Sequence, residues 1–307
     1  ADQAESLAAV AFVRLLMRDT PYGRGNLLTG SEIESVGVAD LRGAHQRFLE
    51  SKNSLILAVG QFDRPRLKAW LGEHFRLNSA AQGPVSPATY ADTRLPKAQP
   101  GDVILVARTK TNQSQVRIGF EAPHPGHADH APFQVLSAAL GEHFGSRLNR
   151  VIRDEMGLTY SISTHILSMQ ERAFMAVSAA THNPQVGELM KQTRRLLALT
   201  ADNGISQEEF EVAQSYLVGS FPLSISTLSA FASRWVGAYL FGLGEDYLGG
   251  VVGRIQAVKI EDVNRVAKAW LKPGNWWVVA GDAEAIMAPL KAAGFTSVKR
   301  VKVEELL

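Results

Sequence analysis

The 307-residue sequence contains no cysteine. Disulfides, thiol nucleophiles and cysteine zinc sites are therefore excluded, while cytoplasm and periplasm both stay open. Long apolar runs are missing as well. The longest, 7–17, has eleven residues and is interrupted by Arg14, too short to cross a bilayer. Charge of one sign nowhere accumulates: 32 Lys and Arg face 30 Asp and Glu, for a net charge of +2. Without a basic stripe or an acidic block, neither nucleic acid nor a membrane surface is an expected partner. A P-loop, a dinucleotide fingerprint and a G-x-S-x-G elbow with a suitable partner order are all lacking. No charged, apolar, small-residue leader follows Ala1, and a first residue other than Met predicts a longer gene product.

What is present is enough apolar sequence, 46% of residues, for two ordinary cores, together with a repeat. Ser35-Val36, Val38 and Asp40-Leu41 match Ala257-Val258, Ile260 and Asp262-Val263 at a constant offset of 257 − 35 = 222 residues. In each copy an Asp two residues past an apolar anchor opens an amphipathic helix (Leu41, Ala44, Phe48, Leu49; Val263, Val266, Ala267, Trp270). Each helix leads to a strand, at 55–59 and 276–280, and a one-residue gap then aligns Gly60 with Gly281. Chance similarity of two helix–strand units is the alternative. If the repeat is real, the second copy runs from about residue 103 to Gly281 and the first lacks about 120 residues at its front. The stretch 78–100 carries Gly83, Pro84, Pro87, Pro96 and Pro100 and reads as a linker. These limits define a first-domain remnant at 1–77, a linker at 78–101 and a complete second domain at 102–307.

Within that second domain, 103–107 reads as a short buried strand. Val116, Ile118 and Phe120, alternating with Arg117 and Gly119, predict a half-exposed one. A loop at 123–130, helices at about 131–140 and 146–154, and a hairpin at 160–164 and 173–178 follow. Val186, Leu189, Met190, Thr193, Leu196 and Leu197 recur at helical spacing. Ser206-Gln-Glu-Glu209 is a capping box, and 227–240 is a further long helix. The order predicts α+β: a duplicated domain, its first copy truncated, of largely antiparallel or mixed sheet with helices packed on one face.

His124, His127 and His130 at i, i+3 and i+6 invite a metal. Pro125 and Gly126 disfavour a helix there and no carboxylate spacing completes a site, so a solvated loop is expected. Glu142-His143 is similar to the end of an H-x-x-E-H motif, which presents two imidazoles from one helical face. Position 139 is Ala139, so only one is offered. Without a metal or an activated nucleophile, these residues alone do not explain peptide hydrolysis. Arg153 and Tyr160 stand seven residues apart around Gly157, at a helix–loop–strand corner able to aim both at one point. A guanidinium and a phenol there can donate hydrogen bonds to a peptide carbonyl and to the oxyanion it becomes. On spacing alone, an exposed arginine and a half-buried strand tyrosine are the commoner case.

Two blocks decide between those readings. One is Thr20-Pro-Tyr-Gly-Arg24 with Leu28-Thr-Gly-Ser31, continued by Asp40-Leu41, Phe48, Asn53 and Val59-Gly60. The other is Leu140-Gly141, Gly145-Ser-Arg-Leu148, Arg153 and Gly157-Leu-Thr-Tyr-Ser161. With them the chain resembles, over nearly its whole length, the pitrilysin/insulinase type of zinc metallopeptidases, the inverzincins. The first block is similar to that family's H-P-Y-G-R…G-T segment, with Thr20 in place of the His. The second is similar to L-G…S-S-R-L…L-R-e…G-L-a-Y-S of the second domain. The resemblance implies a mitochondrial-processing-peptidase-like duplicated fold, with zinc held in the first copy by H-x-x-E-H and a later Glu. It implies that Tyr160 bonds the scissile carbonyl and its tetrahedral intermediate. Arg153 would hold substrate backbone and help close the site. Substrate would add as a strand to a sheet edge, enclosed between the halves. The zinc ligands are expected upstream of Ala1 or on a partner, none in this chain, and Glu5 is expected to be an ordinary helix residue.

The leading expectation is therefore the substrate-binding, transition-state-stabilising half of a zinc metalloendopeptidase. The complete enzyme would require Zn2+, and this chain alone would be inactive. Its expected partners are a peptide substrate and either a zinc-bearing homologous subunit or a second copy of itself. The alternative is a non-catalytic scaffold or substrate-presenting subunit of the same fold. Resemblance to exported bacterial members favours the periplasm.

Overall fold

A computed structural model describes residues 4–17, 21–24, 30–48, 55–75, 102–170, 172–271 and 276–303. In chain order the helices are α1 (Ala4–Met17), α2 (Gly30–Ser35), α3 (Val38–Phe48), α4 (Arg64–His74), α5 (His130–Ser137) and α6 (Val186–Asn203). They continue with α7 (Gln207–Ser224), α8 (Leu228–Leu240), α9 (Val251–Gln256), α10 (Ile260–Trp270) and α11 (Ala283–Ala292). The strands are β1 (Asp102–Arg108), β2 (Gln113–Ala122), β3 (Ile162–Ser168), β4 (Ala173–His182), β5 (Trp276–Asp282) and β6 (Ser297–Val301). They form one sheet in the order β3-β4-β2-β5-β1-β6. The ladders β3–β4, β4–β2 and β2–β5 are antiparallel, while β1 runs parallel to both β5 and β6. The fold is α+β with a mixed sheet.

Local chemistry accounts for several helix starts. Ser206 Oγ accepts from Glu209 N at 3.2 Å and the Glu209 carboxylate accepts from Ser206 N at 2.8 Å, so the capping box opening α7 is complete. Thr227 caps α8 by accepting from Ala230 N, without a reciprocal bond, and Asp282 caps α11. The helical stretch expected near 131–140 divides: α5 ends at Ser137 and a π-helical turn, Ala138–Glu142, takes over. A second π-helical turn, Asn149–Glu155, precedes β3. The main core lies between the sheet and the layer that includes α5, α6 and α10. Leu105, Ile118, Phe133, Leu136, Leu140, Ile152, Val263 and Val266 are all buried there, each contributing on the order of 2 kcal/mol of transfer free energy.

The other sheet face is not left to solvent. α1 lies across it, packing Leu7, Ala8, Ala11, Phe12 and Leu16 against Val106, Phe174, Ala176, Trp276 and Val278. The expectation of a half-exposed β2 is thereby overturned. Gly119 is glycine because a Cβ there would sit 2.8 Å from the Phe12 ring. Arg117 is buried beside it and reaches Glu5 at 3.4 Å. Burial lowers the Arg117 pKa against the opposing pull of Glu5. Glu5 is a first-turn residue of α1, as expected, and its carboxylate also pairs with Arg117; a buried Arg beside a Gly mimics a solvent-facing pattern.

Residues 30–75 behave differently. α3 forms where the pattern places it, yet no described residue of 30–75 is buried, and Ile33, Val38, Leu41 and Trp70 are exposed. The strand expected at 55–59 is absent: those residues have no ladder partner among the described residues. A strand without a neighbour has nowhere to place its backbone hydrogen bonds. Conversely β6 was not anticipated, because Ser297–Val301 offers too little apolar alternation to mark an edge strand. The linker assigned to 78–101 lies outside the described residues.

Candidate active site

The Arg153 and Tyr160 corner is built by the second π-helical turn. Met156 N donates to Val151 O at 3.0 Å, five residues back, and Gly157 N donates to Arg153 O at 3.1 Å. Gly157 then takes a φ of 62°, reversing the chain in a conformation that costs other residues free energy. The following residues are pinned to β4. The Thr181 hydroxyl donates to Leu158 O, and the Thr159 hydroxyl donates to the Ser161 and Ala180 carbonyls. Leu158, Thr159 and Ile162 are buried, yet Tyr160 between them is 87% exposed. The half-buried strand tyrosine expected on spacing is corrected, since β3 begins only at Ile162. A phenol ring thrust into water from fixed backbone forgoes its burial energy.

The structure brings the expected pair together. The Arg153 guanidinium carbon lies 5.8 Å from the Tyr160 ring centroid and 4.1 Å from that of Phe144. Its Nη1 is 3.5 Å from Asp154 Oδ1. Phe144, 74% exposed, is the member that the sequence reading missed. Its signal was a large apolar residue between His143 and Gly145 in a connecting segment. A guanidinium stacked on a ring loses side-chain freedom while keeping its edge donors available.

The corner hangs from α6 and α7 through a second arginine. Arg147 Nε donates to Glu209 Oε1 at 2.8 Å and Nη2 donates to Oε2, a bidentate pair. Nη1 donates to Thr200 Oγ1 at 2.6 Å and to Gly204 O at 3.0 Å. Burial pushes the Glu209 pKa up, but its bonds to Arg147 and Ser206 outweigh that, and it lies below the usual carboxylate range. One carboxylate thus caps α7 and holds the corner.

The histidine loop is committed to itself. His130 is buried with Nδ1 3.0 Å from Pro123 O, and burial lowers its pKa. His124 Nδ1 accepts from Gly126 N and His127 Nδ1 from Asp129 N. Asp129 is taken by Arg265 at 2.8 Å and by Trp270 Nε1 at 3.1 Å. Two buried atoms, His124 Nε2 and His143 Nε2, lack a partner. Their rings rest against Phe241 and Tyr216 at 5.5 and 5.4 Å. Among the described residues no three His, Asp or Glu side chains converge as a metal site. The zinc implied by the resemblance does not fit the described residues.

Sheet, corner and helical layer define an α+β domain whose mixed sheet is covered by helices on both faces. The chain belongs to the peptidase M16 inactive-domain family, whose family model matches residues 35–217. An uncharacterized zinc protease of Mycobacterium tuberculosis is 27% identical over 269 residues, covering 87% of this chain and 60% of that protein. A non-peptidase homolog of Helicobacter pylori is 24% identical over 266 residues, covering 86% of this chain and 60% of that protein. The chain thus spans about 60% of the length of these curated relatives. The crystal structure of a peptidase M16 inactive domain from Pseudomonas fluorescens is similar with a TM-score of 0.75. It is 20% identical, covering 92% of this chain and 66% of that one. At that identity the likeness is one of fold.

Proposed function

We propose that this chain is the substrate-gripping and transition-state-stabilising half of a zinc metallopeptidase. The observation that carries the reading is Tyr160, 87% exposed on pinned backbone beside the stacked Arg153. In this reading the Tyr160 phenol donates a hydrogen bond to the scissile carbonyl oxygen. That bond strengthens as the oxygen becomes an oxyanion. Arg153 donates to a backbone carbonyl of the substrate, and Phe144 holds the guanidinium in position. Zinc chemistry is supplied from outside the described residues, by an upstream domain or by a zinc-bearing partner, whether a homologous subunit or a second copy. The proposed organisation remains a first-domain remnant at 1–77, a linker at 78–101 and a second domain at 102–307, in the periplasm.

The test is hydrolysis of a quenched fluorescent peptide by this chain combined with a zinc-loaded homologous half. Turnover is expected only with both present, and Tyr160→Phe is expected to lower it by about 100-fold. Turnover indifferent to Tyr160 would sink the reading. A second reading, a non-catalytic scaffold, is favoured by the Helicobacter pylori relative described as a non-peptidase homolog. For a scaffold, Tyr160→Phe and Arg153→Ala would leave assembly and cellular phenotype intact.

A further inference from the structure

At the opposite end of β3 from Tyr160 lies an open cleft of about 470 Å³, bounded by β3, α5, α8 and the ends of α7 and α9. Its space comes from one face of α8. Residues at helical spacing there are Ala230, Ser233, Gly237 and Ala238, all small, so the helix leaves volume that larger side chains would fill. A Cβ built at Gly237 meets nothing within 4 Å. Arg234 stands on the same face, exposed, with no hydrogen bond or ion pair to any described residue. Among the described residues lining the cleft there is no carboxylate. His130 adds no charge at neutral pH, because burial lowers its pKa. The remaining wall is mixed: Phe221, Phe241 and Leu248 supply an apolar patch, and Gln134, Ser168, Ser224 and Tyr247 supply neutral polar groups. A single unpaired cation beside an apolar patch, in a cleft whose other polar groups are uncharged, complements a monoanion that carries an apolar group.

We propose that this cleft binds the C-terminal residue of an extended peptide, with its carboxylate on Arg234 and its apolar side chain against Phe221, Phe241 and Leu248. A terminal residue presents both groups from one Cα, whereas an internal Asp or Glu presents only the charge. A phosphate would bring a second negative charge that no described lining residue meets. The site rests on the peptide-handling reading above, and β3 connects the two. β3 is an edge strand whose Ser168 lines the cleft, while Tyr160 stands just before Ile162 at its other end. Six steps of about 3.3 Å make roughly 20 Å. A peptide ending in the cleft and paired parallel to β3 therefore passes Tyr160 about seven or eight residues before its end.

The test is fluorescence anisotropy of the full chain with a fluorescein-labelled octapeptide ending in Leu with a free carboxylate. The same peptide as its C-terminal amide, and an amidated version with an internal Glu, are the comparisons. The free acid is expected to bind at least 10-fold tighter than either. Arg234→Gln is expected to erase the difference. Gly237→Leu, whose side chain enters open space, is expected to weaken the acid about 10-fold while leaving the melting temperature unchanged or higher. Tyr160→Phe should leave the acid preference intact, so failure of the transition-state reading and failure of the cleft are read separately. Equal binding of acid and amide, or a preference that survives Arg234→Gln, would overturn the proposal. Binding of the internal-Glu amide as tightly as the acid would overturn the C-terminal assignment.

Discussion

The histidine loop at 123–130 and the corner at 144–160 contain similar polar material and put it to opposite use. In the loop each imidazole Nδ1 meets a backbone group, and Asp129 is taken by Arg265 and Trp270. In the corner, the hydroxyls of Thr159 and Thr181 tie the chain to β4 and to itself while Tyr160 and Phe144 face water. Density of polar residues in sequence therefore says little about chemistry. A rigid mount beneath an uncommitted side chain says more, because burial and hydrogen bonding have been spent on holding position.

The comparison breaks first if the mount is dispensable. Glu209→Ala leaves the half-buried Arg147 without its bidentate partner and is expected to cost about 2–3 kcal/mol, read by urea denaturation. A loss well below about 1 kcal/mol would mean that the corner does not hang from α7. Gly157→Ala forces a Cβ onto a φ of 62° and is expected to cost about 1–2 kcal/mol in thermal melts. An unchanged melting temperature would show that the turn relaxes. Asp129→Asn loosens the loop and is expected to cost about 1 kcal/mol without affecting peptide turnover in the complete enzyme. A turnover defect would bring the loop into the chemistry.

The smallest effect expected is a pH dependence. His130 is held below its ordinary value of 6.5 by burial, so the folded state binds its proton less readily than the unfolded chain. Its contribution is fully present above about pH 6.5 and is lost as pH falls from there through the folded value. Glu142, whose pKa burial raises, works the other way: its contribution is present below about pH 4.5 and is lost as pH rises through the folded value. The clean measurement is therefore the stability difference between the wild type and His130→Asn, whose amide can still donate to Pro123 O. The wild type should lose ground as pH drops from 7.5 to 5.5. A constant difference would contradict a neutral buried His130.

What was legible in the sequence was local. The box at Ser206 and Glu209, the apolar face of α10 and the β3–β4 hairpin follow from spacing within a few residues. The double-sided burial of β2 depends on α1, with Glu5 lying 112 residues from Arg117, and no window of sequence contains both. The clamp of Arg147 on Glu209 spans 62 residues and was invisible for the same reason. The strand expected at 55–59 shows the converse: a β-like composition does not make a strand without a neighbour. Arg153 and Tyr160 were legible only through a specific block shared with a family, and Phe144 only once the chain was folded around them.

The central claim is that Tyr160 stabilises a tetrahedral oxyanion rather than the ground-state peptide. The most direct measurement compares two affinities in the complete zinc-bearing enzyme, for a phosphinic peptide that mimics the tetrahedral intermediate and for the matching uncleaved peptide. The account predicts that Tyr160→Phe weakens the phosphinic peptide by about 100-fold and leaves the ground-state peptide nearly unchanged. Equal weakening of both, or of neither, would contradict it.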